Sequence, residues 1–170
     1  DLLAQTSGRY NELTTYMHEL GRLAGSLGEV VDLEGLSALL SSSLPLLGIR
    51  DYCISVCCTE NGAFLPWQTS LSEVEMDGGI PKCFFVIATS FSEKESPVVT
   101  SGFSWPAHFG EHSLAMALIV GSSWYGLAEF GITGQNVVVA KGLQPLLSST
   151  IDRIYRVQSL IQTAVNDRLR

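Results

Sequence analysis

Basic charge is scarce in this chain. Ten Lys and Arg stand against seventeen Asp and Glu, a formal net charge of −7. That balance argues against nucleic acid as a partner, because phosphates demand a basic face. It argues equally against docking on an anionic membrane surface. Charge of either sign is thin: 16% of residues carry one, against roughly 25% in ordinary soluble domains. A surface so short of charge is expected to turn some apolar area toward another chain. No apolar run reaches the roughly 20 residues that span a bilayer. The opening "DLLAQTSGRYNEL" lacks the basic start and apolar centre of a signal peptide. A cytoplasmic location is expected. The chain opens on Asp1 rather than Met, which reads as a piece of a longer protein.

Catalytic signatures are also missing. There is no GxGxxG or Walker-type loop to cradle a phosphate. "GSSWYG" has the wrong glycine spacing for a GxSxG nucleophile elbow. "HFGEH" sets His108 and His112 four apart, but Phe109 stands where a zinc motif needs Glu, and Gly110 disfavours a rigid helix. The four cysteines do not have the loop-borne spacing of a disulfide scaffold. Cys53 and Cys57 share one face of a β-branched run and Cys58 points the other way, which suits buried free thiols. No catalytic residue, metal or cofactor is expected.

What the chain does have is apolar periodicity. Its 46% hydrophobic content over 170 residues is enough for one domain with a core. Tyr10, Leu13, Met17, Leu20, Leu23 and Leu27 recur at helical spacing and predict a helix over 3–27, stopping at Gly28. Asp32 is a candidate N-cap for a second helix with the stripe Leu33, Leu36, Leu39, Leu40, Leu44 and Leu47, closed by Pro45 and Gly48. "DYCISVCCT" predicts a strand. "ENG" predicts a hairpin turn from which "AFLPWQT" returns, with Pro66 marking an edge. "CFFVIATSF", Cys83 to Phe91, predicts a further strand. The stretch "SEKESPVVTSGFSWPAHFGEH" reads as an irregular loop, long enough to cover a ligand.

Leu114 to Val120 is apolar on both faces and predicts a strand in mid-sheet. Gly121-Ser122-Ser123 has turn chemistry and leads to a second strand, Trp124 to Ile132. The final pattern, over 135–170, carries Leu147, Ile151, Ile154, Val157, Ile161 and Ala164 at an average step of about 3.5 residues, the coiled-coil period. A helix of that extent, about 50 Å long, outruns a small domain. Its far end is expected to pair with a second copy of the chain; the alternative is packing on the first helix of its own chain. Strands in sequence, framed by helices, predict an α+β domain with a mostly antiparallel sheet of five to six strands.

The paired entry helices with "DLEGLSALLSSSLPLLGIRDYCISVC", and the closing "HSLAMALIVGSSWYGLAEFGI" before a long helix, resemble the GAF domain, a regulatory sensor module. Leu47-Gly48 fits the family's "LG" before a strand, and Gly126-Leu127 its "GxL" strand. The likeness covers most of residues 10–165 and rests on hydrophobic pattern. It implies a GAF/PAS-like fold spanning 1–170, with helices over 1–28 and 135–170 as dimerising or linker extensions. It also implies a non-enzymatic role in a bacterial signalling protein, between flanking domains such as a periplasmic-binding-like module and a diguanylate cyclase. The family's cyclic-nucleotide constellation is missing after Phe130, and no cysteine precedes the histidine of bilin-binding members. Candidate pocket residues for an unidentified small molecule are Trp67, Phe103, Trp105 and His108, aromatics around the long loops. A GAF-type methionine sulfoxide reductase would need an exposed, activated thiolate among Cys53, Cys57 and Cys58.

Overall fold

The computed structural model describes residues 1–59, 61–68, 83–90, 98–99 and 112–170. Two helices come first. α1 (Leu2–Leu27) ends at Gly28 in ordinary right-handed geometry. α2 (Leu33–Ser43) starts at Asp32, whose carboxylate accepts from the Gly35 amide at 2.7 Å, satisfying an otherwise orphaned helix donor. A 3-10 turn, Pro45–Leu47, closes on Gly48 at φ +76°. Only glycine fits there, since a Cβ would meet the Tyr16 ring at 2.7 Å as well as the left-handed backbone penalty.

Six strands follow among the described residues, all paired antiparallel: β1 (Tyr52–Cys57), β2 (Trp67–Gln68), β3 (Cys83–Thr89), β4 (Val98–Val99), β5 (Ser113–Val120) and β6 (Ser123–Gly131). Side by side they run β4, β3, β1, β6, β5. β2 prolongs the β1 position: Val56 lies opposite Gly126 and Trp67 opposite Trp124 on the same edge of β6. The chain between them makes the tight turn expected near Gly62, but its return is a single bridge, Cys58 to Phe64. Pro66 ends the return and Trp67 resumes the direction of β1.

Two expectations need correction. Among the described residues β5 pairs only with β6, so the apolar run Leu114 to Val120 is an edge strand, with Ala115 and Ile119 exposed. The mid-sheet strand is β6, buried from Tyr125 through Phe130. Hydropathy reports how much is covered and not how many neighbours do the covering. Val98–Val99 is also paired, as β4 on β3, inside a stretch that reads as plain loop.

The exit helix α3 (Val137–Arg168) carries Pro145 within it. α2 and α3 pack on one face of the sheet, and α1 lies against α2, α3 and the 3-10 turn. Leu20, Leu23, Leu27, Leu36, Leu40, Leu143, Leu147, Ile151 and Ile154 meet Ile54, Val56, Leu118, Ala128 and Phe130 in a single core. α1 and α3 lie alongside each other in parallel. Leu20 abuts Gly142, where an added Cβ would approach its Cδ2 to 3.1 Å. Further along, Arg153 donates to the Leu27 and Val30 carbonyls at 2.6 and 2.7 Å. The free ends therefore leave the core in opposite directions. Tyr10, at 71% exposure, marks the start of α1, and Leu160 and Ile161, at 71% and 60%, mark the end of α3.

Among the described residues no helix is long and apolar enough to cross a membrane.

Candidate functional site

Strand alternation sends Ile54 and Val56 toward the helices and Cys53, Ser55 and Cys57 to the far face. On β6 the far-face residues are Leu127 and Glu129. Cross-strand register arranges this face in rows. Thr89, Cys53, Glu129 and Ala115 form one; Val86, Ser55, Leu127 and Ala117 form the next. Beyond them Cys57, Phe84 and Leu127 cluster with Trp67, Ala117 and Trp124.

Trp67 is the candidate pocket residue that the structure describes. Its ring meets Trp124 edge to face, centroids 5.7 Å apart at 74°, a favoured aromatic geometry. Trp124 Nε1 donates to the Gly126 carbonyl at 2.7 Å. Trp67 is therefore a packed plug at one end of the far face as well as part of its lining. Phe103, Trp105 and His108 lie outside the described residues.

Glu129 was not singled out by sequence reasoning, yet it is the polar centre of this face. It is 4% exposed, on the interior strand β6, and its Oε2 has no hydrogen-bond partner among the described residues. Burial pushes its carboxyl above the ordinary value, and a hydrogen bond with the Ser113 side chain opposes that shift. The signal was present in "WYGLAEFGI", where one acid interrupts an apolar strand. Its partners were not readable from sequence, because they come from β1 and β5.

The thiols on this face are not activated. Burial raises Cys53, with the Glu129 charge adding to the effect and a Thr89 hydrogen bond opposing it. Cys57 is pushed up to about 12, chiefly by burial. Both stay protonated near neutrality, whereas nucleophilic and redox chemistry need the thiolate. Among the described residues no group of three or more His, Cys, Asp or Glu is placed to hold a metal ion.

A second polar cluster lies on the opposite side of the same strand. β5 and β6 slip by one residue, so that Leu118 faces Gly126 and Ile119 faces Trp124. Tyr125 is the extra residue of this bulge, and bulges re-aim side chains. The slip delivers the phenol to the helices, where it donates to Asp152 Oδ1 at 2.5 Å. Arg156 Nε donates to both Asp152 oxygens at 3.0 and 3.1 Å. Burial first, then the Asp152 carboxylate, pushes the Tyr125 hydroxyl up to about 12. Phe64 and Tyr155 pack around the ring. Gln144 of α3 donates to the Ala117 carbonyl beside the slip at 2.8 Å. One strand thus presents Glu129 to the far face and Tyr125 to the exit helix.

The chain matches no protein-family model, and no curated protein or solved structure matches it.

Proposed function

We propose that this chain is a GAF-like regulatory domain of a bacterial signal-transduction protein, acting in the cytoplasm without catalysis of its own. It dimerises through its terminal helices and passes conformational change between flanking modules, a diguanylate cyclase being one such output. The observation that carries this reading is the continuity of each helical stripe from core into open space. On α3, Leu147, Ile151 and Ile154 are buried, while Val157, Ile161 and Val165 repeat the same spacing exposed. On α1, Leu20, Leu23 and Leu27 are buried, and Tyr10 and Met17 continue the stripe exposed.

An apolar stripe that outruns its own core is completed at least cost by the same stripe in a twin molecule. Because α1 and α3 are parallel and emerge at opposite ends, a two-fold dimer would place a helix pair at the entrance and another at the exit. Signals entering along α1 would leave along α3, provided that two helix arrangements lie close in energy. The α+β architecture, an antiparallel sheet with helices at the start and end of the chain packed against each other, is compatible with the GAF-like pattern of the chain.

Deleting residues 157–170 tests the reading, since it removes the exposed stripe and leaves every buried residue of α3 in place. Sedimentation equilibrium is expected to show a dimer for the whole chain and a weakened dimer or monomer for the truncation. An unchanged mass removes the exit helix from the interface, and a monomeric whole chain at high concentration removes the proposal.

A second reading, the same domain as a small-molecule receptor, is supported by the buried, incompletely bonded Glu129. A thiol reductase is disfavoured by the raised Cys53 and Cys57.

A further inference from the structure

We infer that Glu129 is the anchor of a binding site for a small organic cation, an ammonium or amidinium group carried on an apolar body. The inference rests on the receptor reading above and names the chemistry of the ligand.

A carboxyl oxygen removed from water without a hydrogen-bond partner is costly, and native folds rarely leave one so. Glu129 Oε2 is in that position among the described residues, on a residue only 4% exposed. It lies on β6, an interior strand, where a leucine like Leu127 one row along would pack without penalty. Retaining an acid there makes sense when something else completes it.

The surroundings specify what completes it. The flanking residues in its row, Cys53 and Ala115, supply no positive charge, and Ser113 supplies a hydroxyl. The missing component is a donor, and a cationic donor restores both the hydrogen bond and the charge balance of a buried carboxylate. The next row along the face, Val86, Ser55, Leu127 and Ala117, is apolar but for one hydroxyl. Two residues along a strand cover about 7 Å, the length of a short alkyl linker. Trp67 and Trp124 stand beyond, at the far end of the face, where aromatic walls suit an apolar body. Access is also present: Ser113 and Ala115 on the edge strand are exposed beside the buried acid.

The upward shift of the Glu129 carboxyl, caused by its burial, is consistent with the same conclusion. Burial favours the neutral acid, and an arriving ammonium group would favour the carboxylate.

The test uses the whole chain and three amines: benzylamine, phenethylamine and tryptamine. Their uncharged counterparts are benzyl alcohol, 2-phenylethanol and tryptophol. Melting temperature and calorimetric titration are the readouts. At least one amine is expected to raise Tm by about 5 °C or more at roughly a hundredfold excess over its Kd. Its alcohol counterpart is expected to bind at least tenfold more weakly. Glu129→Gln should abolish the amine's advantage and Glu129→Asp should retain part of it. If the Gln variant does not fold, the amine–alcohol comparison on the unaltered chain decides alone. Alcohols that bind as well as amines overturn the cation inference and leave the receptor reading standing. No response to any of the six compounds overturns both. The dimer reading is decided separately, by mass.

Discussion

The Tyr125 hydroxyl donates a 2.5 Å hydrogen bond to Asp152, joining the interior strand β6 to the exit helix. Arg156 holds the same carboxylate from the next turn of α3. Removing the phenol oxygen therefore leaves Asp152 paired, and Phe preserves the ring contacts with Phe64 and Tyr155. Tyr125→Phe is expected to cost about 1–2 kcal/mol, the range for a hydrogen bond to a charged group that leaves no orphan. Urea unfolding checks the magnitude. Amide exchange over 147–156 checks that the loss is felt in α3.

Arg153 closes the end of α1 by donating to the Leu27 and Val30 carbonyls. Helix ends leave carbonyls short of partners; the Leu27 carbonyl also accepts a 3.3 Å bond from the Val30 amide. Arg153→Ala is expected to destabilise the chain by about 2–3 kcal/mol, as two charge-assisted bonds are lost. Arg153→Lys should recover only part, because an ammonium lacks the planar fork that reaches two acceptors. Chemical denaturation of the three proteins gives the comparison.

Gly126 sits where a Cβ would meet the Ser55 carbonyl oxygen at 2.0 Å. That contact is with backbone of the neighbouring strand, which cannot move without parting β1 from β6. Gly126→Ala is expected to cost about 3 kcal/mol or more. Soluble yield and thermal unfolding report it, and a near-neutral result would contradict the packing of these two strands.

Glu129 is expected to make the stability of the chain depend on pH. Its folded-state pKa lies above the ordinary 4.5, so folding favours the protonated form. The associated stability is present below pH 4.5 and lost as pH rises through the folded value. Among the described residues its titratable neighbour is Cys53, which is itself shifted upward and neutral in this window. The difference in melting temperature between Glu129→Gln and the unaltered chain is expected to widen with pH through this range, the variant being the more stable at neutrality. A constant difference would show that Glu129 does not titrate differently in the folded chain.

Local chemistry made much of the fold legible. Asp32 announced α2 because a short carboxylate before an apolar stripe answers an exposed amide. Leu147, Ile151 and Ile154 announced α3, and Gly121 the turn between β5 and β6. What stayed hidden depends on residues distant in sequence. Ala115 and Ile119 look like core residues until β5 is seen to have one neighbour among the described residues. Trp124 to Ile132 alternates poorly because Tyr125 is a bulge, and a bulge is defined only against its partner strand. Trp67 reads as the end of a hairpin, yet it extends β1 along β6. Of the candidate site, Trp67 was legible as a large aromatic beside loops. Glu129 was visible as an acid among apolar residues, but its unanswered oxygen is a property of three strands together.

Ile154 is the last buried residue of α3, and the helix continues to Arg168. Residues 155–168 then reach about 21 Å past the body at 1.5 Å per residue. A rod of that reach is a lever arm. Tilting its seated portion by about 5° would sweep the tip by roughly 2 Å, enough to shift a side chain out of the hole it fills in a twin helix. A change at β6 too small to disturb the core could thus arrive, magnified, wherever the chain leads next.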